Sequence, residues 1–344
     1  MPNNKFVVVN VFLGKGLGGI EKSFVDYIRY YQQLGYTSKA IVGKNSKIIT
    51  FVPHGVEVIE LSNFAEWDLW ASFKLANALK KIKANIVIIH GRRASKICRF
   101  VYHIPQVGVA HNYSLKYLLS LDYIFTITDD IKKQLLNMGY DKAKMFDMPH
   151  MIDVPSERQK QVISNPITIG AIGRLVPEKG FDLLLDALKI LKDKNYKFKL
   201  FLAGDGIEKE KLEKQVKDLS LEKEVSMLGW VTNIADYYKR VNILCIPSRK
   251  ESFGLVLIEA FAYGKAVVSS GTKGPLQIGE NNKDTLFFAI ENVKQLALKL
   301  EALLQDQALI VKMGDAGYKK VKENYDIKKG IKKFEQVANK IIKT

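Results

Sequence analysis

Cysteine is almost absent: Cys98 and Cys245 are the only two in 344 residues. Both lie among apolar or helix-forming neighbours, which excludes a disulfide framework and a cysteine zinc cluster and fits a reducing compartment. Long apolar runs are missing too. The longest near the start, residues 6–13, is broken by Asn10 and falls far short of the ~20 residues needed to cross a bilayer. No small-residue cleavage pattern follows it, whereas Gly14, Gly16, Gly18 and Gly19 do; the run therefore reads as a first buried strand rather than a signal peptide. Acidic residues are scarce, 36 against 53 Lys and Arg, for a formal charge of +17. The excess is shared, with 20 basic and 12 acidic residues through Pro155 and 33 and 24 beyond it. That distribution argues against a basic nucleic-acid tail and favours partners carrying phosphate or other anionic groups. No clustered basic face with interleaved aromatics marks a nucleic-acid module, no repeat of 20 to 50 residues occurs, and there is no D-x-D motif.

What is present is ample apolar material, 47% of the chain, enough for about two domains of ~150 residues each. Short β-rich runs at 6–12, 40–42, 86–90, 106–110 and 123–128 alternate with amphipathic stretches, and so do runs at 167–172, 199–203, 225–228, 243–246 and 266–269. Helical patterns at 181–192 and 209–219 separate strands of the second set. This alternation predicts an α/β protein with two doubly wound, Rossmann-like parallel sheets facing a central cleft. The segment 150–166, with Pro149, Pro155 and Pro166 and no apolar periodicity, reads as the linker. The expected domains are residues 1–155, residues 156–325, and a C-terminal helix over 326–344 packing back on the first domain. The last stretches, 293–304, 308–324 and 328–342, are helical and Lys-rich.

Three loops carry the chemistry. Gly14-Lys15-Gly16-Leu17-Gly18-Gly19 lies between a strand and a helix and fits G-x-G-x-x-G. A nicotinamide-binding unit also needs an acidic residue about 20 positions on, but Gly43, Lys44 and Asn45 follow the second strand, so the motif keeps only its generic capacity for phosphate. Gly173-Arg174-Leu175-Val176-Pro177-Glu178-Lys179-Gly180 joins a strand to a helix, bringing Arg174 and Lys179 to the carboxyl edge of the sheet, where a guanidinium fork and an ammonium suit a diphosphate. In the segment 248–260, Glu251 precedes a helix and Glu259 lies inside it among Leu255, Val256, Leu257, Ile258 and Ala260. A carboxylate in such surroundings is costly unless hydrogen-bonded, and vicinal hydroxyls match its two oxygens. The N–H groups at Phe253, Gly254 and Leu255 open the same helix. Glu259 snorkelling or pairing with a lysine is the alternative.

The E-x7-E pair Glu251/Glu259, the 173–180 loop, the Leu202-Ala203-Gly204-Asp205-Gly206 turn and the Gly18-Gly19 turn together resemble a retaining glycosyltransferase of the GT-B fold, glycosyltransferase family 4, of the kind that builds bacterial lipopolysaccharide and surface glycans. The resemblance covers essentially the full chain and is strongest over 167–290. It implies that Glu259 binds the ribose of a nucleotide-sugar donor and that Arg174 and Lys179, beside Gly173, hold its diphosphate. Glu251 with the backbone of Phe253, Gly254 and Leu255 then positions the sugar, Gly18 and Gly19 approach it, and His111 matches the histidine at the sugar end. The departures are Gln277, where the family commonly has glutamate, and Asp284-Thr285 in place of Asn-Gly. The implied activity is a metal-independent hexosyl transfer without a resident cofactor, from a UDP-sugar in preference to a GDP-sugar, to a glycan or lipid-linked acceptor. Base recognition is expected near Gly229-Trp230-Val231-Thr232.

For the acceptor side, Lys80, Lys81, Lys83, Arg92, Arg93, Lys96 and Arg99, with the stretch from Tyr113 to Leu119, suit an anionic membrane surface. A cytoplasmic enzyme, peripheral on the inner face of the membrane and without nucleic-acid partners, is the expectation. The alternatives are a sugar-nucleotide epimerase, which needs a different carboxylate pattern, and a non-catalytic sugar-nucleotide or glycan-binding subunit on the same fold.

Overall fold

The computed structural model describes residues 6–14, 18–157 and 162–343, so Lys15, Gly16 and Leu17 of the first glycine-rich turn lie outside the described residues. The chain divides into two compact units, residues 1–151 with 327–344, and residues 152–326. The first unit contains β1 (Val7–Phe12), α1 (Gly19–Gln33), β2 (Thr37–Gly43), β3 (Glu57–Leu61), α2 (Leu69–Lys81), β4 (Ile86–His90), α3 (Arg92–Cys98), β5 (Gln106–Ala110), β6 (Tyr123–Thr126), α4 (Asp129–Asn137) and β7 (Met145–Asp147). Its strands form one parallel sheet in the order β3-β2-β1-β4-β5-β6-β7. Strands covered by helices on both faces are apolar almost throughout; Val8, Val9, Val11 and residues 86–89 are fully buried accordingly, with the polar Asn10 and His90 buried among them.

The second unit runs through β8 (Ile167–Ile172), α5 (Phe181–Asp193), β9 (Phe198–Ala203), α6 (Lys209–Asp218), β10 (Val225–Gly229), α7 (Ile234–Lys239), β11 (Ile243–Ile246), α8 (Leu255–Ala262), β12 (Ala266–Ser270), α9 (Lys273–Ile278), β13 (Thr285–Phe288), α10 (Val293–Gln305) and α11 (Gln307–Asn324). Its sheet is also parallel, in the order β10-β9-β8-β11-β12-β13. In each sheet the chain reverses its direction of growth once, at β1/β4 and at β8/β11. These switch points open a crevice at the carboxyl ends of the strands, the place where such sheets take ligands.

β3, β7 and β13 were not anticipated from the sequence. All three are edge strands. β3 exposes Glu57, β7 is three residues long, and neither β3 nor β7 has the apolar run that marks a central strand. Part of the expected linker, residues 162–166, is fastened to the second unit by Asn242. That side chain donates to Val162 O (2.8 Å) and accepts from the N–H groups of Ser164 (3.2 Å) and Thr168 (3.1 Å).

The final helix, α12 (Ile327–Ile342), belongs to the first unit. Its apolar face buries Phe334, Val337, Ala338 and Ile341. The Phe334 ring meets Tyr27, Tyr30 and Tyr31 of α1 at centroid distances of 5.2, 5.1 and 6.2 Å.

The expected membrane-facing stretch from Tyr113 to Leu119 needs correction. Leu115 and Leu118 are core residues, and Leu118 packs where a side chain at Gly108 would otherwise sit. Only its polar positions and Leu119 face outward. Among the described residues no helix is long and apolar enough to cross a membrane.

Candidate active site

The second unit's switch point is built from the loops after β8 and β11. The first loop is anchored on the turn after β9: Gly173 N–H donates to Ala203 O (3.0 Å), Leu175 N–H to Asp205 O (2.9 Å), and Glu208 N–H back to Leu175 O (2.9 Å). It closes with Pro177–Lys179 in a tight turn, after which Gly180 takes φ +64° at the start of α5. A Cβ there would lie 2.2 Å from Pro247 O. Glycine is thus required both by its backbone conformation and by the closeness of the second loop.

The two loops are tied together by a residue the sequence did not single out. Arg249 N–H donates to Glu178 O (2.8 Å). Its guanidinium forks onto Asp182 (2.8 and 2.7 Å), reaches Pro177 O (2.8 Å) and, through Nε, Glu291 (2.7 Å). Burial alone would raise the Asp182 pKa, but the Arg249 hydrogen bonds and charge hold it below the usual carboxylate range. The Asp182 hydrogen bonds in turn push Arg249 still higher. No sequence pattern marked Arg249, because its partners are contributed by separate loops and helices.

This staple brings two of the expected site residues into contact. Lys179 Nζ donates to Glu251 Oε2 at 2.7 Å, with both side chains largely shielded. Arg174, in the same loop as Lys179, is exposed, and its side chain makes no hydrogen bond or ion pair among the described residues. Gly254, at φ +106°, caps α8, and the preceding backbone is clamped by α9. Gly274 N–H donates to Glu251 O (3.1 Å), and a Cβ at Gly274 would collide with the Phe253 backbone. Phe253 itself is buried, so its backbone rather than its ring is available to a ligand. Leu255 opens α8, whose N-terminal turn carries a positive dipole end.

Glu259 lies in the second turn of α8, half-buried. Its charge adds to burial in raising the pKa of Tyr238, whose ring stacks on Tyr263 at 4.9 Å. The carboxylate is therefore held beside an aromatic wall, where it costs little only when hydrogen-bonded. Gln277 turns its amide onto its own helix, donating to Lys273 O (3.1 Å). Asp284 is fully buried, paired with Lys320 and accepting from Glu280 N–H and Thr285 Oγ1; it is a structural residue. Trp230 stands half-exposed after β10.

In the first unit, Gly18 caps α1 and Gly19 begins it. His111, just past β5, is buried and belongs to a polar stack that the sequence did not reveal. His90 Nε2 meets Asn10 Oδ1 at 3.3 Å, His90 Nδ1 meets His111 Nε2 at 3.0 Å, and His150 Nδ1 meets Ser23 Oγ at 3.2 Å. The rings of His90 and His111, and of His111 and His150, stack at 5.2 and 5.5 Å. Asn10 Oδ1 can only accept, so His90 carries its proton on Nε2 and His111 carries its own on Nε2. His111 Nδ1 is then a bare acceptor, and among the described residues it is buried without a hydrogen-bond partner. Desolvation dominates in keeping all three rings neutral: it lowers His111 to about 3, and His90 and His150 well below the ordinary histidine value, helped by their neighbours' charge. Among the described residues no group of three His, Cys, Asp or Glu side chains is arranged to hold a metal ion.

Comparison with known proteins agrees with this architecture. Residues 153–320 match the family model for glycosyl transferases group 1. An uncharacterized glycosyltransferase of Haemophilus influenzae is 30% identical over 171 residues, 49% of this chain and 48% of its own length; the chain thus aligns with about half of that relative. The lipopolysaccharide core biosynthesis glycosyltransferase LpsE of Rhizobium meliloti is 23% identical over 322 residues, 90% of this chain and 92% of its own. The crystal structure of Anabaena HepE in complex with UDP and glucose superposes with a TM-score of 0.84 at 16% identity, covering 96% of this chain and 99% of that one. The two parallel Rossmann-like sheets are thus of the GT-B kind, and the unit that holds Arg174, Lys179, Glu251 and Glu259 is the part of the chain that is similar to the glycosyl transferases of group 1.

Proposed function

We propose that the protein transfers a hexose from a UDP-sugar, with retention of anomeric configuration, to a glycan or lipid-linked acceptor in bacterial surface-polysaccharide or lipopolysaccharide synthesis. The observation that supports this reading is the 2.7 Å contact of Lys179 with Glu251 between the two loops of one switch point, whose segments also contain Arg174 and Glu259. The lipopolysaccharide role of the Rhizobium relative and the UDP bound to the Anabaena structure support the substrate class.

In this reading Glu259 accepts from the ribose hydroxyls, and Trp230 borders the base. Arg174, Lys179 and the first turn of α8 stabilise charge on the departing diphosphate, the role a divalent metal would otherwise fill. Glu251 orients a sugar hydroxyl. The acceptor oxygen attacks C1 on the face from which the diphosphate leaves. The C1–O bond to phosphate breaks as the new glycosidic bond forms, and the acceptor proton passes to a phosphate oxygen of the leaving group. No protein nucleophile is needed. The enzyme works in the cytoplasm, peripheral to the inner membrane face.

The test is a chromatographic screen of UDP-, GDP-, ADP- and CMP-sugars in chelator, repeated on Glu251→Gln and Glu259→Ala. Release of UDP from one sugar by the native chain, lost in both variants, is expected. Release of another nucleotide, or of none until a divalent metal is added, contradicts the proposal on donor or on metal.

A further inference from the structure

Large apolar side chains are normally scattered singly over a surface, but here five crowd into ten residues. Phe64 is 95% exposed, Trp67 73%, Leu69 64%, Trp70 75% and Phe73 61%. They occupy the loop from β3 to α2 and the first turns of α2. Folding has not left them out by accident of sequence. Asp68 caps the helix, accepting from Ala71 N–H (2.9 Å) and Phe64 N–H (3.0 Å). With the helix so placed, Ala71, Ser72, Leu75 and Leu79 face the core, and the opposite face reads Trp70, Phe73, Lys74, Asn77, Lys80 and Lys81, all exposed.

The charge of this surface is predominantly positive. α2 contains three lysines and no acidic residue. The neighbouring Glu66 is neutralised by Lys96 (2.6 Å) and Arg92 (3.1 Å) of α3, and Arg93 donates to Asn63 (3.3 Å) in the same loop. These contacts join the basic residues of α3 to the aromatic loop as one face. Both the loop after β3 and the start of α3 after β4 lie at the carboxyl edge of the first sheet, the edge that also carries His90 and His111.

We propose that Phe64, Trp67, Leu69, Trp70 and Phe73, ringed by Lys74, Lys80, Lys81, Arg92 and Arg93, form the surface by which the protein seats on an anionic lipid bilayer. Tryptophan and phenylalanine suit the headgroup boundary, where an amphipathic ring is partly wet, and the lysines and arginines are attracted to lipid phosphate. A basic rim around an aromatic centre is complementary to such a bilayer, and it would be a liability to solubility with nothing to bind. The inference deepens the peripheral-membrane part of the reading above and rests on that part alone. It moves the contact away from the Tyr113–Leu119 stretch, whose leucines are core.

Two of the chain's three tryptophans lie in this face, so a Trp230→Phe chain reports on it directly. The experiment is flotation of the full chain with vesicles of phosphatidylcholine alone or with 30% phosphatidylglycerol, combined with tryptophan emission of the Trp230→Phe chain. Expected are co-flotation with the anionic vesicles that weakens at high salt, a blue-shifted emission, and about tenfold weaker vesicle binding for Trp67→Ser with Trp70→Ser. UDP binding of that double variant should match the native chain, so loss of the membrane surface is distinguishable from loss of the donor site. Absence of anionic-vesicle binding at low salt overturns the proposal, as does binding with unshifted emission. Concentration-dependent dimers that the double variant abolishes, without vesicle binding, assign the face instead to a second copy of the chain.

Discussion

In the free protein Lys179 already holds Glu251, so a diphosphate must draw the ammonium away from a carboxylate that is mostly screened from water. Removing the two partners should therefore have opposite effects on nucleotide affinity. Lys179→Ala loses a charge-assisted contact of about 1.5–3 kcal/mol and should weaken UDP binding by roughly tenfold or more. Glu251→Gln releases the ammonium and should bind UDP as tightly as native or tighter while losing sugar transfer; calorimetric titration checks both. The histidine stack gives a second expectation. Its rings are neutral when folded because burial depresses their pKa values. Unfolded histidines titrate near 6.5, so the unfolded chain takes up protons first as the pH falls. The stack's contribution is complete above about pH 6.5 and declines below it by up to about 1.4 kcal/mol per pH unit per ring. Denaturant midpoints between pH 7.5 and 5.5 should fall accordingly, with a shallower fall for His150→Gln. Unchanged midpoints would show the rings to be ionisable in the fold. Arg174, Lys179 and Glu251 were legible as loop residues because each sits in a short segment between a strand and a helix, and Glu259 as a lone carboxylate in an apolar helical run. Asn10, Ser23, His90 and His150 were not, since their meeting depends on which strands become neighbours, and that is settled by long-range packing.

At the level of elements, buried parallel strands announced themselves as unbroken apolar runs, and edge strands such as Glu57–Leu61 did not, because half their side chains answer to solvent. The loops of the site were legible as glycine-bearing turns, but not the staple that sets their spacing. Gly180 shows what that spacing demands. Gly180→Ala combines an unfavourable φ with a clash against Pro247 O and should cost at least about 2 kcal/mol. Gly35→Ala has a similar φ of +79° in open space and should cost only about 1 kcal/mol. Equal losses in thermal unfolding would mean that the second loop does not press on the first.

For the molecule as a whole, the chain leaves its first unit at residue 151 and returns to it at 327, so the C-terminal helix completes the fold that the N-terminus begins. Phe334→Ala empties the space against Tyr27, Tyr30 and Tyr31 and should destabilise that unit by about 3–5 kcal/mol, read as a lowered unfolding transition; an unchanged transition would detach the helix from the unit's core. The pairing of two switch-point sheets in one chain was visible in the alternation of strands and helices, whereas the exposed aromatic face at the start of α2 was not. Exposure of Trp67 and Trp70 depends on which face of α2 the core claims. The central proposal is that the second unit's switch point binds the nucleotide of the donor. The measurement that tests it is titration of UDP, in chelator, into the native chain and into Glu259→Ala and Arg174→Ala. Saturable binding of one equivalent, weakened at least about tenfold in each variant, is predicted; binding that both variants leave intact, or none by the native chain, would contradict it.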